Sequence, residues 1–179
     1  MDPVRTSKFL SLILRHRPEA AGIALDAEGW ADVEALLAGM RRHGHPLGLE
    51  ELVQVVATND KRRFAFSADR TRIRAVQGHS HAVELGYPPV PPPERLFHGT
   101  VARFLVSIRG QGLVPGRRQH VHLSPTRAVA ESVGRRRGAP VVLTVDSAAM
   151  AGAGHSFYRA ENGVWLTLRV PAAFIVAWE

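Results

Sequence analysis

A chain of 179 residues, 45% of them hydrophobic, is long enough for one large or two small domains with packed cores. It has no cysteine, which excludes disulfides, thiolate catalysis and cysteine-bound zinc, and no window approaches the roughly 18 apolar residues of a membrane span. The net charge of +7 is uneven: residues 1–86 hold twelve Lys and Arg against eleven Asp and Glu, whereas residues 87–179 hold eleven against five, and all eleven are arginine.

Arginine presents a planar fork that grips phosphate through two parallel hydrogen bonds, so the basic second half predicts a polyanionic partner. The first residues, Met-Asp-Pro-Val-Arg, lack an apolar signal region, and the expected location is cytoplasmic.

In chain order, Phe9, Leu10, Ile13 and Leu14 predict a helix over Thr6 to Arg17, with Thr6 or Ser7 as its cap and Pro18 as its stop. Its last turn carries Arg15-His16-Arg17, cations that complement the helix dipole. Gly29-Trp30 opens a second helix in which Val33, Leu36, Leu37 and Met40 share a face, and Leu49, Leu52, Val53 and Val56 repeat the template in a third. Arg63 to Phe66 and Arg72 to Val76 then alternate with period two around Ser67 to Thr71, a hairpin. Three helices and a hairpin predict a winged-helix lobe, with Arg72 and Arg74 on one face where they could track phosphates or stand in solvent.

Tyr-Pro-Pro-Val-Pro-Pro-Pro at residues 87–93 reads as a stiff polyproline linker between a lobe at 1–86 and a lobe at 94–179. In the second lobe strands are predicted at Arg95 to His98, Val121 to Ser124, Val141 to Val145, Val164 to Leu168 and Phe174 to Trp178. Helices are predicted at Val101 to Arg109 and Thr126 to Arg136, with a tight turn at Asn162-Gly163. This is an α+β pattern with a split, mostly antiparallel sheet. No GxGxxG, GxxxxGK[ST] or HExxH motif occurs.

Three His-x-His pairs occur, His43/His45, His79/His81 and His120/His122, which invites a metal reading. A catalytic metal wants a third ligand, often a carboxylate, and the second half offers only Glu94, Glu131, Asp146, Glu161 and Glu179, so no metal is expected. Leu96-Phe97-His98-Gly99-Thr100 and His120-Val121-His122-Leu123-Ser124 each set a histidine beside small residues, leaving backbone open to a flat or phosphorylated ligand.

The ordered set of motifs resembles one family nearly end to end. It comprises Leu14-Arg15-His16, Asp60-Lys61-Arg62-Arg63-Phe64, Arg74-Ala75-Val76-Gln77-Gly78-His79-Ser80, His98-Gly99-Thr100, Ser107-Ile108 and Gly112-Leu113. His120 to Ser124, Val133 to Gly138 and Asn162-Gly163-Val164-Trp165-Leu166 complete it. The sequence resembles the RNA 2'-phosphotransferases, the KptA family.

The resemblance implies an N-terminal winged-helix lobe, a C-terminal ADP-ribosyltransferase-like split β-sheet lobe, and a site that draws on both. It implies an internal RNA 2'-monophosphate as substrate, as in tRNA processing, and NAD as co-substrate. In such enzymes the phosphate attacks the anomeric carbon of the nicotinamide ribose and nicotinamide leaves. The neighbouring ribose hydroxyl then attacks phosphorus, releasing RNA and ADP-ribose 1'',2''-cyclic phosphate. The family's Arg, His, Arg, Arg set corresponds to Arg15, His16, Arg63 and Arg136, the last taken as the arginine two before Gly138; a one-residue slip would turn Arg135 or Arg137 inward instead.

The resemblance assigns NAD to His98, Gly99, Thr100, Ser107, Ile108, Gly112, Leu113, His122 and Ser124. Where diphtheria-toxin-type relatives place an aromatic and a late glutamate, this chain has His122 and Val164, which argues against ordinary protein ADP-ribosylation. Two alternatives stay open: ADP-ribosylation of terminal nucleic-acid phosphates, and a winged-helix DNA-binding regulator. The expected protein is monomeric.

Overall fold

The apolar periodicity of the first half becomes three helices. In the computed structural model, which describes residues 3–179, the chain divides into two units, one ending at Gly86 and one running Tyr87–Glu179. Helix α1 (Pro3–Arg15) buries Leu10, Ile13 and Leu14 completely. It starts earlier than its spacing predicts, because proline suits a first helical turn whose N–H groups lack partners anyway. Thr6 and Ser7 therefore lie inside the helix, half a turn and more past its start, and neither caps it; Ser7 Oγ accepts a hydrogen bond from Asn59 Nδ2 at 2.9 Å.

Trp30 does not open the second helix. Trp30–Asp32 form a short strand, β1, and helix α2 (Val33–Arg42) follows, capped by Asp32, whose carboxylate accepts from the Ala35 N–H at 2.8 Å. Helix α3 (Leu49–Ala57) precedes β2 (Phe64–Phe66) and β3 (Arg72–Ala75), and the three strands form an antiparallel sheet in the order β1-β3-β2. Leu36 and Met40 of α2, Leu52 of α3 and Ile73 of β3 meet α1 in one core. Each of these fully buried side chains contributes about 1.5–3 kcal/mol relative to exposure.

Arg72 and Arg74 share a face with the Trp30 ring. Their guanidinium carbons lie 5.4 Å and 4.4 Å from the Trp30 ring centroid, Arg72 pairs with Asp26 at 3.3 Å, and Arg74 Nη1 donates to the Leu85 carbonyl at 3.3 Å. Arg74 is thus buried against Trp30, while Arg72 packs on the same ring and stays exposed.

In the second unit, β4 (Arg95–Val101) leads through a short 3-10 turn into α4 (Leu105–Gln111), and β5 (Val121–Leu123) leads into α5 (Arg127–Gly134). Then come β6 (Pro140–Asp146), α6 (Ser147–Gly152), β7 (Tyr158–Arg159), β8 (Trp165–Thr167) and β9 (Ile175–Trp178). Two antiparallel sheets result, β4-β6-β9 and β5-β8-β7. Their edge strands β4 and β5 are joined beside Phe97 and Ser124, which exchange two backbone hydrogen bonds of 3.0 Å and 2.7 Å. Leu96, Leu123, Leu143, Met150 and Phe157 fill the core.

The proline run is not a free-standing spacer. The Val90 N–H donates to the Phe157 carbonyl at 2.8 Å and the Pro93 carbonyl accepts from Ser147 Oγ at 2.7 Å, so the run lies along the second unit. Among the described residues no helix is long and apolar enough to cross a membrane.

Candidate functional site

In the first unit the apolar stripe of α1 ends at Arg15, which is 9% exposed although charged, and the next residue, His16, is exposed. The Arg15 carbonyl accepts two hydrogen bonds from Ser80, from its N–H at 3.0 Å and its hydroxyl at 3.4 Å. Arg63 is half-buried, just before β2. Its N–H donates to Asn59 Oδ1 at 3.2 Å, and its carbonyl accepts from the Val76 N–H at 3.0 Å.

Arg62, next to it, has φ +41°, a left-handed conformation that non-glycine residues rarely take and that recurs at functional sites. The stretch Val76 to Ser80 is thus tied to Arg63 at one end and Arg15 at the other. Even fully extended, those five residues span only about 14 Å.

His79 lies in that stretch, 2% exposed, with neither ring nitrogen hydrogen-bonded among the described residues. Burial pushes its pKa down to about 3, helped by the positive charges of Arg15, His81, His16 and Arg74. The ring is therefore neutral. The first unit gathers cationic groups around a neutral imidazole, an arrangement suited to a dianion.

In the second unit His98 Nδ1 donates to the His122 carbonyl at 3.0 Å, joining the two sheets beside the Phe97 and Ser124 bridge. Burial lowers the pKa of His98; the hydrogen bond opposes this, and the charges of Arg137 and Arg118 add to it. Arg118 Nη1 lies 2.8 Å from His122 Nδ1. The surrounding protein, and then the Arg137 charge, lower the pKa of Arg118. One corner, between β4 and β5, thus holds His98, His122, Ser124, Arg118 and the charge of Arg137.

The other residues that the resemblance assigns to NAD have packing or local partners of their own. Ile108 and Leu113 pack in the core and Thr100 is buried, while Ser107 is exposed and its hydroxyl accepts from Gln111 Nε2 at 2.5 Å. Gly99 has a packing reason: a Cβ there would stand 1.7 Å from the Ala130 carbonyl oxygen, so β4 and α5 touch backbone to backbone. Gly112, at φ +77°, would place a Cβ 2.1 Å from the Val170 carbonyl oxygen.

Arg135, Arg136 and Arg137 form a 3-10 turn after α5. Arg135 pairs with Glu131 at 2.5 Å; Arg137 lies over the Phe104 ring at 5.8 Å and is the one whose charge reaches His98 and Arg118. Arg136 is exposed and makes no ion pair among the described residues.

Two of the three histidine pairs are divided between different partners, and the third is in contact with itself. His43 Nδ1 bonds the Gly39 carbonyl at 2.9 Å, and the His45 ring stacks on Phe9 at 4.0 Å. His79 and His81 meet edge to face at 5.9 Å, and His120 meets Tyr158 in the same way at 5.7 Å. Among the described residues no group of three or more His, Cys, Asp or Glu could hold a metal ion.

The sequence does not single out His79 or Arg118, which the structure places among these groups. His79 stood within a quoted motif, but nothing in its neighbours announces its burial; Arg118 stands four residues before His122 in a loop whose course no periodicity predicts.

The model of the family described as RNA 2'-phosphotransferase, Tpt1 / KptA family, matches residues 1–169. The chain belongs to that family. A Pseudomonas aeruginosa (strain UCBPP-PA14) protein named "Probable RNA 2'-phosphotransferase" is 62% identical over 171 residues, covering 95% of this chain and 94% of the relative. Relatives of the same name from Burkholderia lata and Agrobacterium fabrum (strain C58) are 57% and 56% identical. They cover 97% and 95% of this chain, and 90% and 91% of themselves. The protein is accordingly a transferase of the RNA 2'-phosphotransferase family, and RNA is the substrate class that family name carries.

Proposed function

We propose that the protein removes an internal RNA 2'-monophosphate with NAD as co-substrate, by way of an RNA-phospho-ADP-ribose intermediate, releasing nicotinamide and ADP-ribose 1'',2''-cyclic phosphate. The observation that carries the reading is the Val76 to Ser80 stretch, which links Arg63 to the end of α1 where Arg15 and His16 sit. Arg15 and Arg63 hold phosphate oxygens, and the arginine turn after α5, through Arg136, supplies a further cation. A fixed set of donors is the chief demand of phosphoryl transfer, because charge on the phosphate oxygens must be held through both steps. His16, exposed at the helix end, can protonate the RNA 2'-oxygen as it leaves.

The residues of the β4 and β5 corner fit NAD. Its pyrophosphate is anionic, and the corner holds Arg118 and the Arg137 charge; ribose hydroxyls need both donors and acceptors, which the imidazole nitrogens of His98 and His122 can provide. When bound, NAD supplies an electrophilic ribose carbon with a neutral leaving group. The winged-helix and ADP-ribosyltransferase-like descriptions of the two units belong to this reading. Three helices with a small antiparallel sheet support the first, and two antiparallel sheets meeting at one bridge support the second.

The test is incubation with NAD and a short RNA bearing one labelled internal 2'-phosphate, without added metal, alongside Arg63→Ala and His16→Ala. Label should move to a small cyclic phosphate, with each variant slowed at least 100-fold. RNA that keeps its phosphate while nicotinamide is never released refutes the proposal. A stable ADP-ribosyl group left on a 5'-phosphorylated oligonucleotide would favour terminal-phosphate ADP-ribosylation instead.

A further inference from the structure

The hydrogen bonds at the β4 and β5 corner fix the protons of two histidines. A guanidinium has only N–H donors, so in the 2.8 Å contact between Arg118 Nη1 and His122 Nδ1 the ring nitrogen must accept. A neutral His122 then carries its proton on Nε2. A carbonyl oxygen only accepts, so in the 3.0 Å contact with the His122 carbonyl, His98 Nδ1 carries the proton. Burial keeps His98 neutral, which leaves its Nε2 as an acceptor. Two rings on neighbouring strands therefore have opposite hydrogen-bonding character at Nε2, His98 as acceptor and His122 as donor. The loop carrying Arg118 is braced, since the Arg118 N–H donates to the Pro115 carbonyl at 3.2 Å.

We propose that Arg118 is a positioning residue for NAD binding: by donating to Nδ1 of His122, it holds that ring in the tautomer whose Nε2 is a donor. The bond made by one ring nitrogen sets the proton on the other, as it does for histidines whose orientation matters to a ligand. This rests on the NAD reading above. Without Arg118 the bond that favours this tautomer is lost, and with it the bias toward the complementary pair at the corner.

The test uses 15N-labelled full-length protein, with imidazole nitrogens observed by long-range 1H–15N correlation and His122 assigned through His122→Gln. Wild-type His122 should show a bare Nδ1 and a protonated Nε2. Arg118→Met should average the two nitrogens and weaken NAD binding roughly tenfold, the factor of one lost hydrogen bond, with the rise in KM for NAD exceeding any fall in kcat. Arg118→Lys, still a pure donor, should restore the wild-type ring and most of the affinity, and it keeps the test open if the Met variant does not fold. A wild-type His122 protonated at Nδ1, or an Arg118→Met protein with unchanged ring and affinity, overturns the proposal. Wild-type protein that does not bind NAD overturns the NAD reading itself and this role with it, whatever the ring spectra show.

Discussion

Replacing His79 by leucine should remove a pH dependence from the stability of the protein. His79 is 2% exposed, and its pKa falls to about 3 from an ordinary value of 6.5. The unfolded chain therefore takes up a proton on this ring as pH drops through 6.5, while the folded protein does not until about pH 3. The contribution is complete above 6.5 and is lost progressively as pH falls below it. At 1.36 kcal/mol per pKa unit, the loss between pH 7 and pH 5 is about 2 kcal/mol.

Urea unfolding followed by circular dichroism suits the measurement, because α1, α2 and α3, the long helices, all belong to the unit that holds His79. The wild type should lose about 2 kcal/mol more than His79→Leu over that interval. A direct NMR titration of the ring should stay flat down to pH 4.5. A ring that titrates between pH 6 and 7, or a stability gap that does not change with pH, refutes the claim that His79 is held neutral.

Two further outcomes test the packing that positions the site. Gly99→Ala should destabilise the second unit by about 3 kcal/mol, since its Cβ would overlap the Ala130 carbonyl oxygen, whereas Gly110→Ala in α4, where a Cβ meets open space, should be neutral or stabilise by up to about 1 kcal/mol; thermal unfolding reads both. Asp32→Ala should cost about 1 kcal/mol through loss of the α2 cap and leave the phosphotransfer assay unchanged at a temperature where the variant is folded.

Much of the fold was legible because helix α2, helix α3 and the β2–β3 hairpin carry full periodic patterns of their own. β1 was not legible, since three residues show no alternation and Trp30 becomes a strand only by pairing with Arg74 on β3. α6, at six residues, is too short for periodicity, though its cap Asp146, which accepts from the Ala149 N–H at 3.1 Å, was in plain sight. The proline run looked like a spacer because composition gives its stiffness and not its partners, Phe157 and Ser147, which lie far along the chain. Gly99 leaves backbone open, and the sequence alone does not distinguish closeness to a ligand from closeness to α5.

The electrostatics of the first unit follow from which groups are kept from charging. Arg15 and Arg74 are cations at any physiological pH and both are 9% exposed, so a protonated His79 between them would add a buried like charge with no carboxylate among the groups that set its pKa. Glu19 senses the His81 charge but accepts a hydrogen bond from Arg17 Nε at 3.2 Å. Depressing the His79 pKa limits the repulsion that this set of cations would otherwise build up. The same depression makes the unit less stable in acid. Under the proposed function, the acid sensitivity measured through His79→Leu is the physical counterpart of holding Arg15 and His16 beside one another for a dianion.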